Sequence, residues 1–581
     1  MPILKDDGKS AFMHTPLRTY AMHLRNALLV ACLTLPWLNP FTATPTTAVI
    51  PLLVSWIASA CLVLLVVDLP VLRQPMSQSG LTVAWVIGLA CLTSLVLVPQ
   101  EVDHALTMGL LAALLCMALM VRVGMHVAWR GNGLVVWVAV AWLVAATVSS
   151  LLGVLQYLGW ARELAPWVSQ PPFGEAFANL RQRNQFATLT SVGLVAGFAL
   201  LAARAQRTPL TSRVLVLAVL LLNVLAMGVA CSVSRTGALQ WLLLGVLTAL
   251  WAWRACRQQA GSQRVLLVAA LAAPCLVLVW SVLMPWIAVY VTGHQGMSVI
   301  QRVAGQGQDY GICGSRSVLW SNILVLIAQH PWLGWGWGEL DYAHFMTAYS
   351  GMRFCDMPDN AHNLPLQLAM DFGIPLALVL LTCAAMWVWQ RQPWREQDSW
   401  RSMAWGVLLV VGVHSLLEYP LWYGPFQMAV GLALGLLWCK PQSVPVELAD
   451  PEQPSTVSQA RIITFAALMF IGCLYAAWDF NRVAQVYRPI AQRDAAYRDD
   501  PISHANASWL FQNQAEFAEL TMNTVNADNA QDVFFVAARV VHYSPEPRVV
   551  QRLIDSAKLL GQDELATTLT KLLDAQKNAH P

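Results

Sequence analysis

Thirteen stretches of this chain are apolar for long enough to cross a lipid bilayer as helices, and nothing else constrains its fold as strongly. Inside hydrocarbon every backbone N–H and C=O needs an internal partner, so a run of about 20 apolar residues must become a helix packed among others. The runs lie near residues 26–42, 46–67, 81–98, 105–121, 133–155, 186–203, 214–231, 236–253, 265–290, 364–389, 402–417, 421–439 and 462–478. Several are short or broken by proline, the first by Pro36 and Pro40. Composition points the same way. Of 581 residues 57% are hydrophobic and 12% charged, against about 25% charged in soluble domains. The reading is an all-α polytopic membrane protein of about thirteen transmembrane helices. Some 25 polar and basic residues precede the first run and no small-residue cleavage site follows it, which reads as an uncleaved anchor.

The formal net charge of +3 is too small to argue for a nucleic-acid partner, so position matters more than sum. Basic residues crowd alternate loops, among them Arg73, Arg122, Arg130, Arg204, Arg254, Arg391 and Lys440, and by the positive-inside rule that side is the cytoplasm. The opposite loops carry only Arg162, Arg181, Arg183, Arg235, Arg302, Arg316 and Arg353 before the tail. The rule therefore predicts a multi-pass membrane protein whose His362 loop and tail lie outside the cytoplasm, with its working face in the periplasm. It divides the chain into an N-terminal transmembrane bundle (1–290), a periplasmic loop (291–363), further transmembrane helices (364–439), a Pro-rich cytoplasmic linker (440–460), a last transmembrane helix (461–480) and a periplasmic helical tail (481–581). The tail has apolar residues at helical spacing, such as Val549, Leu553, Ile554, Leu559, Leu560, Leu565 and Leu569. It reads as paired helices that either bind a protein acceptor or pack as a lid.

Within the loop, Cys313 and Cys355 are the two cysteines outside apolar runs and the inner face, and an oxidising compartment allows them to pair as a disulfide. Histidine and arginine mark where chemistry would sit. His362 closes the loop in D-N-A-H-N-L-P-L-Q-L-A-M-D-F-G-I-P, where a group titrating near neutrality can take or hold a proton at the membrane border. Arg181 and Arg183 stand in L-R-Q-R-N-Q just before an apolar helix, Arg235 in S-V-S-R-T-G between two helices, and Arg316 at the start of an amphipathic stretch. Guanidinium forks suit phosphate, and snorkelling to headgroups is the competing role. Asp371 lies nine residues after His362 in the same run, His414 and Glu418 are four apart on one helix face, and both sets read as supporting groups. In G-W-G-W-G at 334–338 the lysine and preceding strand of a phosphate loop are missing, so the run reads as a turn with Trp335 and Trp337 at the interface.

Taken together, His362-Asn363-x-x-Leu366 with Gly373, the segment from Gln182 to Thr188, the S-R-T-G turn and G-W-G-W-G resemble, in order and spacing, the O-antigen ligase and polymerase family. H-S-L-L-E-Y-P-L-W-Y at 414–423 resembles its PglL-type protein O-oligosaccharyltransferases. The resemblance implies an oligosaccharyltransferase that moves a glycan en bloc from undecaprenyl pyrophosphate to Ser/Thr hydroxyls of an acceptor protein such as pilin, without metal or other cofactor. His362 would be the catalytic base in an inverting displacement. Arg183, Arg235, Arg316 and Arg181 would hold the donor pyrophosphate, with Asn363, Gln185, Asp371, His414 and Glu418 in support. Asp309 and Asp356 are isolated and form no Asp-x-Asp metal site. A ligase or polymerase acting on lipid A-core or glycan shares the central motif. A transporter of polyprenyl-linked sugar would concentrate polar groups near mid-membrane instead.

Overall fold

The computed structural model describes residues 10–66, 103–129, 132–258, 263–303, 312–438 and 456–579, and among these every regular element is helical. The N-terminal half consists of α1 (Ser10–Leu38), α2 (Val49–Val66), α3 (His104–Trp129), α4 (Asn132–Tyr157), α5 (Arg183–Arg207), α6 (Ser212–Ser232), α7 (Arg235–Gln258) and α8 (Arg264–Thr292). The following loop carries α9 (Arg316–Gln329) and α10 (Leu340–Met346). Then come α11 (Leu364–Phe372), α12 (Ile374–Arg391), α13 (Ser399–Ser415), α14 (Gly424–Trp438) and α15 (Thr456–Ala484). The tail contains α16 (Gln512–Met522), α17 (Ala530–Tyr543), α18 (Pro547–Leu559) and α19 (Asp563–Ala579).

Nine helices among the described residues are long and apolar enough to cross a membrane, and this is a multi-pass membrane protein. The count of thirteen is not reproduced, for identifiable reasons. The run at 81–98 lies outside the described residues, as does most of the predicted linker at 440–460. Those at 26–42 and 421–439 form the shorter apolar helices Met22–Leu38 and Gly424–Trp438, and that at 402–417 forms α13, of 17 residues. The run at 364–389 is not one helix. Gly373, at φ 84°, ends α11, and the chain restarts as α12 with Pro375 in its first turn. A side chain at Gly373 would meet the Trp332 carbonyl oxygen at 2.2 Å, so the break is also a point of close backbone approach.

Lipid tails give apolar helices no hydrophobic reason to associate, so close packing and buried polar pairs must hold them. The tightest crossing, between α14 and α3, uses the small-residue pair Gly431 and Gly435, four apart on one face. A Cβ at Gly435 would stand 2.2 Å from the Val121 carbonyl oxygen, and one at Gly431 would stand 2.6 Å from that of Met117. Trp56 of α2 donates its indole N–H to Gln427 of α14 at 2.8 Å. Trp142, Trp241 and Phe426 fill the space between helices and are fully buried.

The tail packs on the loop. Its core of Phe517, Val540, Val549, Ile554 and Leu569 closes around Phe345 of α10. His542 of α17 contacts Glu339 at 2.7 Å and stacks on Tyr342 with ring centroids 3.7 Å apart. Of the apolar positions read from the sequence, Val549, Leu553, Ile554 and Leu569 are buried, whereas Leu559, Leu560 and Leu565 face out. Asp479 in α15 ties the last span to the tail by accepting from Ser508 Oγ at 2.7 Å and Leu510 N at 2.9 Å.

Gly435→Ala places a methyl against the backbone of α3, and we expect a loss of about 1–3 kcal/mol of stability in detergent, the cost of overpacking. Gly109→Ala, where a Cβ has open space, is the control. Equal thermal midpoints for the two variants would refute the close-contact account of the crossing.

Candidate active site

The loop is organised around α9. Cys313 and Cys355 form a disulfide, which ties the N-terminus of α9 to the segment leading into His362. Ser315 caps α9 by accepting from Val318 N, so Arg316 is its first helical residue. Asn322, buried in the middle of α9, accepts from Phe354 N at 2.8 Å and donates to the Met352 carbonyl at 3.0 Å. The glycine run then fastens α11. Trp335 N donates to the Met370 carbonyl at 2.8 Å and Gly336 N to that of Asp371 at 3.1 Å. Gly334, at φ 75°, lies so close that a Cβ would meet the Asp371 carbonyl carbon at 2.5 Å. Trp335 donates its indole N–H to the Leu326 carbonyl at 2.9 Å, and Trp337 stacks between Phe372 and Trp422. Both indoles thus contact helix ends.

Between the glycine run and α11 the chain bends sharply at His362, whose φ of 49° is in the left-handed region. A non-glycine residue held there costs on the order of 1–3 kcal/mol and needs surrounding bonds to fix it. They are present. Asn360 Oδ1 accepts from His362 N at 3.0 Å, Gln367 Oε1 accepts from Ala361 N at 2.7 Å, and Asn363 caps α11 by accepting from Leu366 N at 3.1 Å. Asn363 also donates to the Leu416 carbonyl at 3.0 Å. Asp371, fully buried, accepts from Gln367 Nε2 at 2.9 Å and 3.0 Å and so holds the frame of α11.

Everything converges on Glu418. The helix α13 ends at Ser415, so Glu418 does not share a helical face with His414; it sits in the turn beyond, its N–H bonded to the His414 carbonyl at 2.8 Å. Glu418 Oε2 lies 2.7 Å from His362 Nδ1. Its Oε1 accepts from Asn184 Nδ2 at 3.0 Å and from Arg316, which also reaches the Leu417 carbonyl. The side chain is only 8% exposed. Burial pushes the carboxyl up, but the His362 hydrogen bond and the Arg316 charge outweigh it and hold it below its ordinary value. An ionised carboxylate only accepts, so Nδ1 of His362 is the donor in this contact and Nε2 is the ring nitrogen left to face outward. The imidazole is 28% exposed, lies edge-on to Tyr419 at 5.0 Å, and among the described residues no hydrogen bond occupies Nε2. His362, Asn363, Gln367, Glu418, Tyr419 and Trp422 line a crevice of about 10 Å³, enough for roughly one water.

Two more helix N-termini meet this carboxylate. Asn184 accepts from Ser234 Oγ at 2.6 Å, and Ser234 in turn caps α7 by accepting from Gly237 N at 3.0 Å. Arg183 and Arg235 are the chain neighbours of these two residues and open α5 and α7. Arg183 pairs with Glu175 at 3.1 Å, whereas Arg235 is exposed and forms no ion pair among the described residues. Arg181 does not join the cluster. Its guanidinium is spent on Thr42, the Pro40 carbonyl and Ser169, which anchor the loop after α1. Gln185 is buried beside the Tyr423 hydroxyl. One turn below, Thr188 contacts His414 Nδ1 at 2.9 Å and Gln240 Nε2 at 2.9 Å, and Gln240 also bonds Ser191 and the Val410 carbonyl. Gln240, with Thr188 and His414, therefore ties α5, α7 and α13 together beneath the site.

Of the residues expected from sequence, the fold brings His362, Asn363, Arg316 and Glu418 into direct contact and sets Arg183 and Arg235 one residue from that network. Asn184, Ser234 and Tyr419 were not singled out. The polar run R-Q-R-N-Q signalled a helix start but not which of its members would face the carboxylate.

The geometry can be set beside known proteins. Residues 217–381 match the O-antigen ligase family, 176–201 the protein glycosylation ligases, and 402–576 the C-terminal part of the virulence factor membrane-bound polymerases. Over these stretches the chain is similar to O-antigen ligases and protein glycosylation ligases. The O-antigen ligase match takes in His362, and the glycosylation-ligase match takes in Arg183 and Asn184. A general O-oligosaccharyltransferase of Acinetobacter baylyi is 26% identical over 193 residues, covering 32% of this chain and 31% of that protein. The aligned region is thus about a third of the relative's length.

Replacing Cys313 or Cys355 by Ser opens a loop of 42 residues, for which the chain-entropy estimate is about 3–4 kcal/mol. Thiol labelling of the denatured, unreduced wild type should leave both cysteines unmodified. Full labelling of both would exclude the bridge.

Proposed function

We propose that this chain is a ligase-type transferase of the bacterial inner membrane that moves a glycan en bloc from an undecaprenyl pyrophosphate carrier to a Ser or Thr hydroxyl of an acceptor protein, such as a pilin, on the periplasmic face. The observation that carries the reading is the His362–Glu418 pair, because it leaves a basic nitrogen facing open space at the end of the bundle where the helix N-termini with Arg183 and Arg235 meet. In the proposed reaction the acceptor hydroxyl lies against His362 Nε2. Its oxygen attacks the anomeric carbon as its proton passes to Nε2, and the bond to the pyrophosphate breaks with the electron pair leaving on that oxygen. A single displacement inverts the anomeric centre. The developing imidazolium is stabilised by Glu418, whose charge is already held by Arg316 and Asn184. The departing pyrophosphate is met by guanidinium groups of Arg183 and Arg235, positioned before the charge develops. The domain division at 290, 363 and 439 fits this scheme, with the loop and the tail forming the acceptor side.

A ligase or polymerase acting on lipid A-core or glycan is the second reading, favoured by the matches to O-antigen ligases and membrane-bound polymerases. Purified protein given lipid-linked glycan with either a pilin or a lipid A-core acceptor separates the two: labelled lipid A-core with unmodified pilin would overturn the protein-acceptor reading.

His362→Ala should lower transfer by about 10²- to 10⁴-fold at unchanged membrane abundance, the range of a general base. Glu418→Gln keeps the shape but removes the carboxylate that orients the His362 ring and would balance the developing imidazolium, so transfer should fall in kcat at unchanged membrane abundance. Near-normal transfer in either variant would rule out the paired base.

Arg183→Lys and Arg235→Lys test the anion clamp. An ammonium keeps the charge but loses the planar two-donor fork, so donor binding should weaken by well over the change expected from charge alone. Headgroup snorkelling would be served by lysine nearly as well. Full transfer and donor binding in both Lys variants would sink the clamp.

A further inference from the structure

The helices that meet at Glu418 diverge at their other ends. There α5, α7, the start of α8 and the start of α13 enclose a second cavity of about 150 Å³. It reaches Ala202, 19 residues along α5 from Arg183 and so roughly 28 Å from it at 1.5 Å per residue. Val195, Phe198, Leu266 and Met403 form apolar walls. Two hydrogen-bonding atoms in the lining have no partner among the described residues: Thr248 Oγ1 and Gln263 Oε1, on residues that are 2% and 3% exposed. Thr248 differs in this from several hydroxyls of the same bundle. Thr147, Thr188 and Ser191 each bond a carbonyl of their own helix, which is how a hydroxyl is normally satisfied in hydrocarbon. Leaving a buried polar atom unpaired costs roughly 1–3 kcal/mol, so two around one cavity point to something that fills it.

Lining chemistry narrows the class. Both charged groups are already engaged, Arg254 with the Trp394 carbonyl at 2.5 Å and Glu396 with Arg401 at 2.9 Å. What remains is amide and hydroxyl: Gln206, Gln258 and Gln397 at the exposed rim, Ser399 and Ser402 on the wall, Thr248 and Gln263 at depth. Such groups both donate and accept, as a hydroxyl does, while the apolar walls suit C–H faces. A cavity of 150 Å³ takes a molecule of about six heavy atoms, since an apolar one of that size holds benzene.

We infer that this cavity is a second binding site, remote from His362, for a small polyhydroxylated headgroup of the glycerol class. In a bilayer the source is the headgroup of phosphatidylglycerol; free glycerol offers the same hydroxyls. Ala202→Cys puts a thiol in the cavity wall, and its rate of modification by a small methanethiosulfonate reagent, followed by peptide mass mapping, reports occupancy. The protein is compared in nanodiscs of phosphatidylethanolamine alone, the same with free glycerol, and nanodiscs containing phosphatidylglycerol. Phosphatidylglycerol should slow labelling by about fivefold or more. Slowing by glycerol as well assigns recognition to the hydroxyls alone; slowing by phosphatidylglycerol only assigns it to the lipid. Adding Gln263→Leu to the reporter, or Thr248→Val if that variant does not purify monodisperse, should abolish the protection. Equal rates in all three preparations, or protection that survives loss of the polar atom, would overturn the proposal.

Discussion

One carboxylate organises the functional end of this molecule. Glu418 stands in a turn between two helices, almost out of reach of water, and accepts from an imidazole, a guanidinium and an amide that come from three distant parts of the chain. A buried charge in that position is tolerable only when its partners are complete, and removing one partner from such a set typically costs about 3–5 kcal/mol. The consequence is positional. The ends of α13, α9, α5 and, through Ser234, α7 cannot shift independently without breaking a bond to Glu418 or to Asn184. The imidazole is oriented by the same contact that brings the helix ends together.

The loop and the glycine run solve a different problem, which is how to hold a left-handed histidine at a membrane border. Small residues let backbone meet backbone: Gly334 lies on Asp371, Gly373 on the Trp332 carbonyl, and the N–H groups of Trp335 and Gly336 satisfy carbonyls at the end of α11. The disulfide closes the other side by anchoring the approach to His362 at the start of α9. Because Phe345 from the same loop is buried in the tail, the tail rests on this frame and is not an appendage.

Fold class was legible from hydropathy because length and apolarity alone force helices in hydrocarbon. Boundaries were less so, since a run at 364–389 with Gly373-Ile374-Pro375 inside it is equally apolar whether straight or broken, and only the close approach of Trp332 requires the break. His362, Arg316 and the cysteine pair stood out as polar or sulfur-bearing groups at unexpected borders. The partners of Glu418 did not, because a contact between residues 184 and 418 depends on how α5 and α13 cross, which no local spacing encodes. Spacing of four suggested that His414 and Glu418 share a face; termination of α13 at Ser415 put Glu418 in the turn beyond, where the two side chains bond different partners.

Charge accounting at this end of the bundle gives the last step. Glu418 and Arg316 neutralise each other, and Glu175 neutralises Arg183. Arg235 is left as the uncompensated cation among these groups, exposed at the N-terminus of α7, where the helix dipole adds to its pull on anions. On the proposed reading a pyrophosphate meets Arg235 first, and Arg183 joins only by exchanging Glu175 for phosphate. That exchange keeps the guanidinium paired throughout, so the donor does not have to supply the desolvation cost of a bare charge. It also means that affinity for the donor is set by the difference between two Arg183 pairs, and the carboxylate of Glu175 excludes weaker anions from the site.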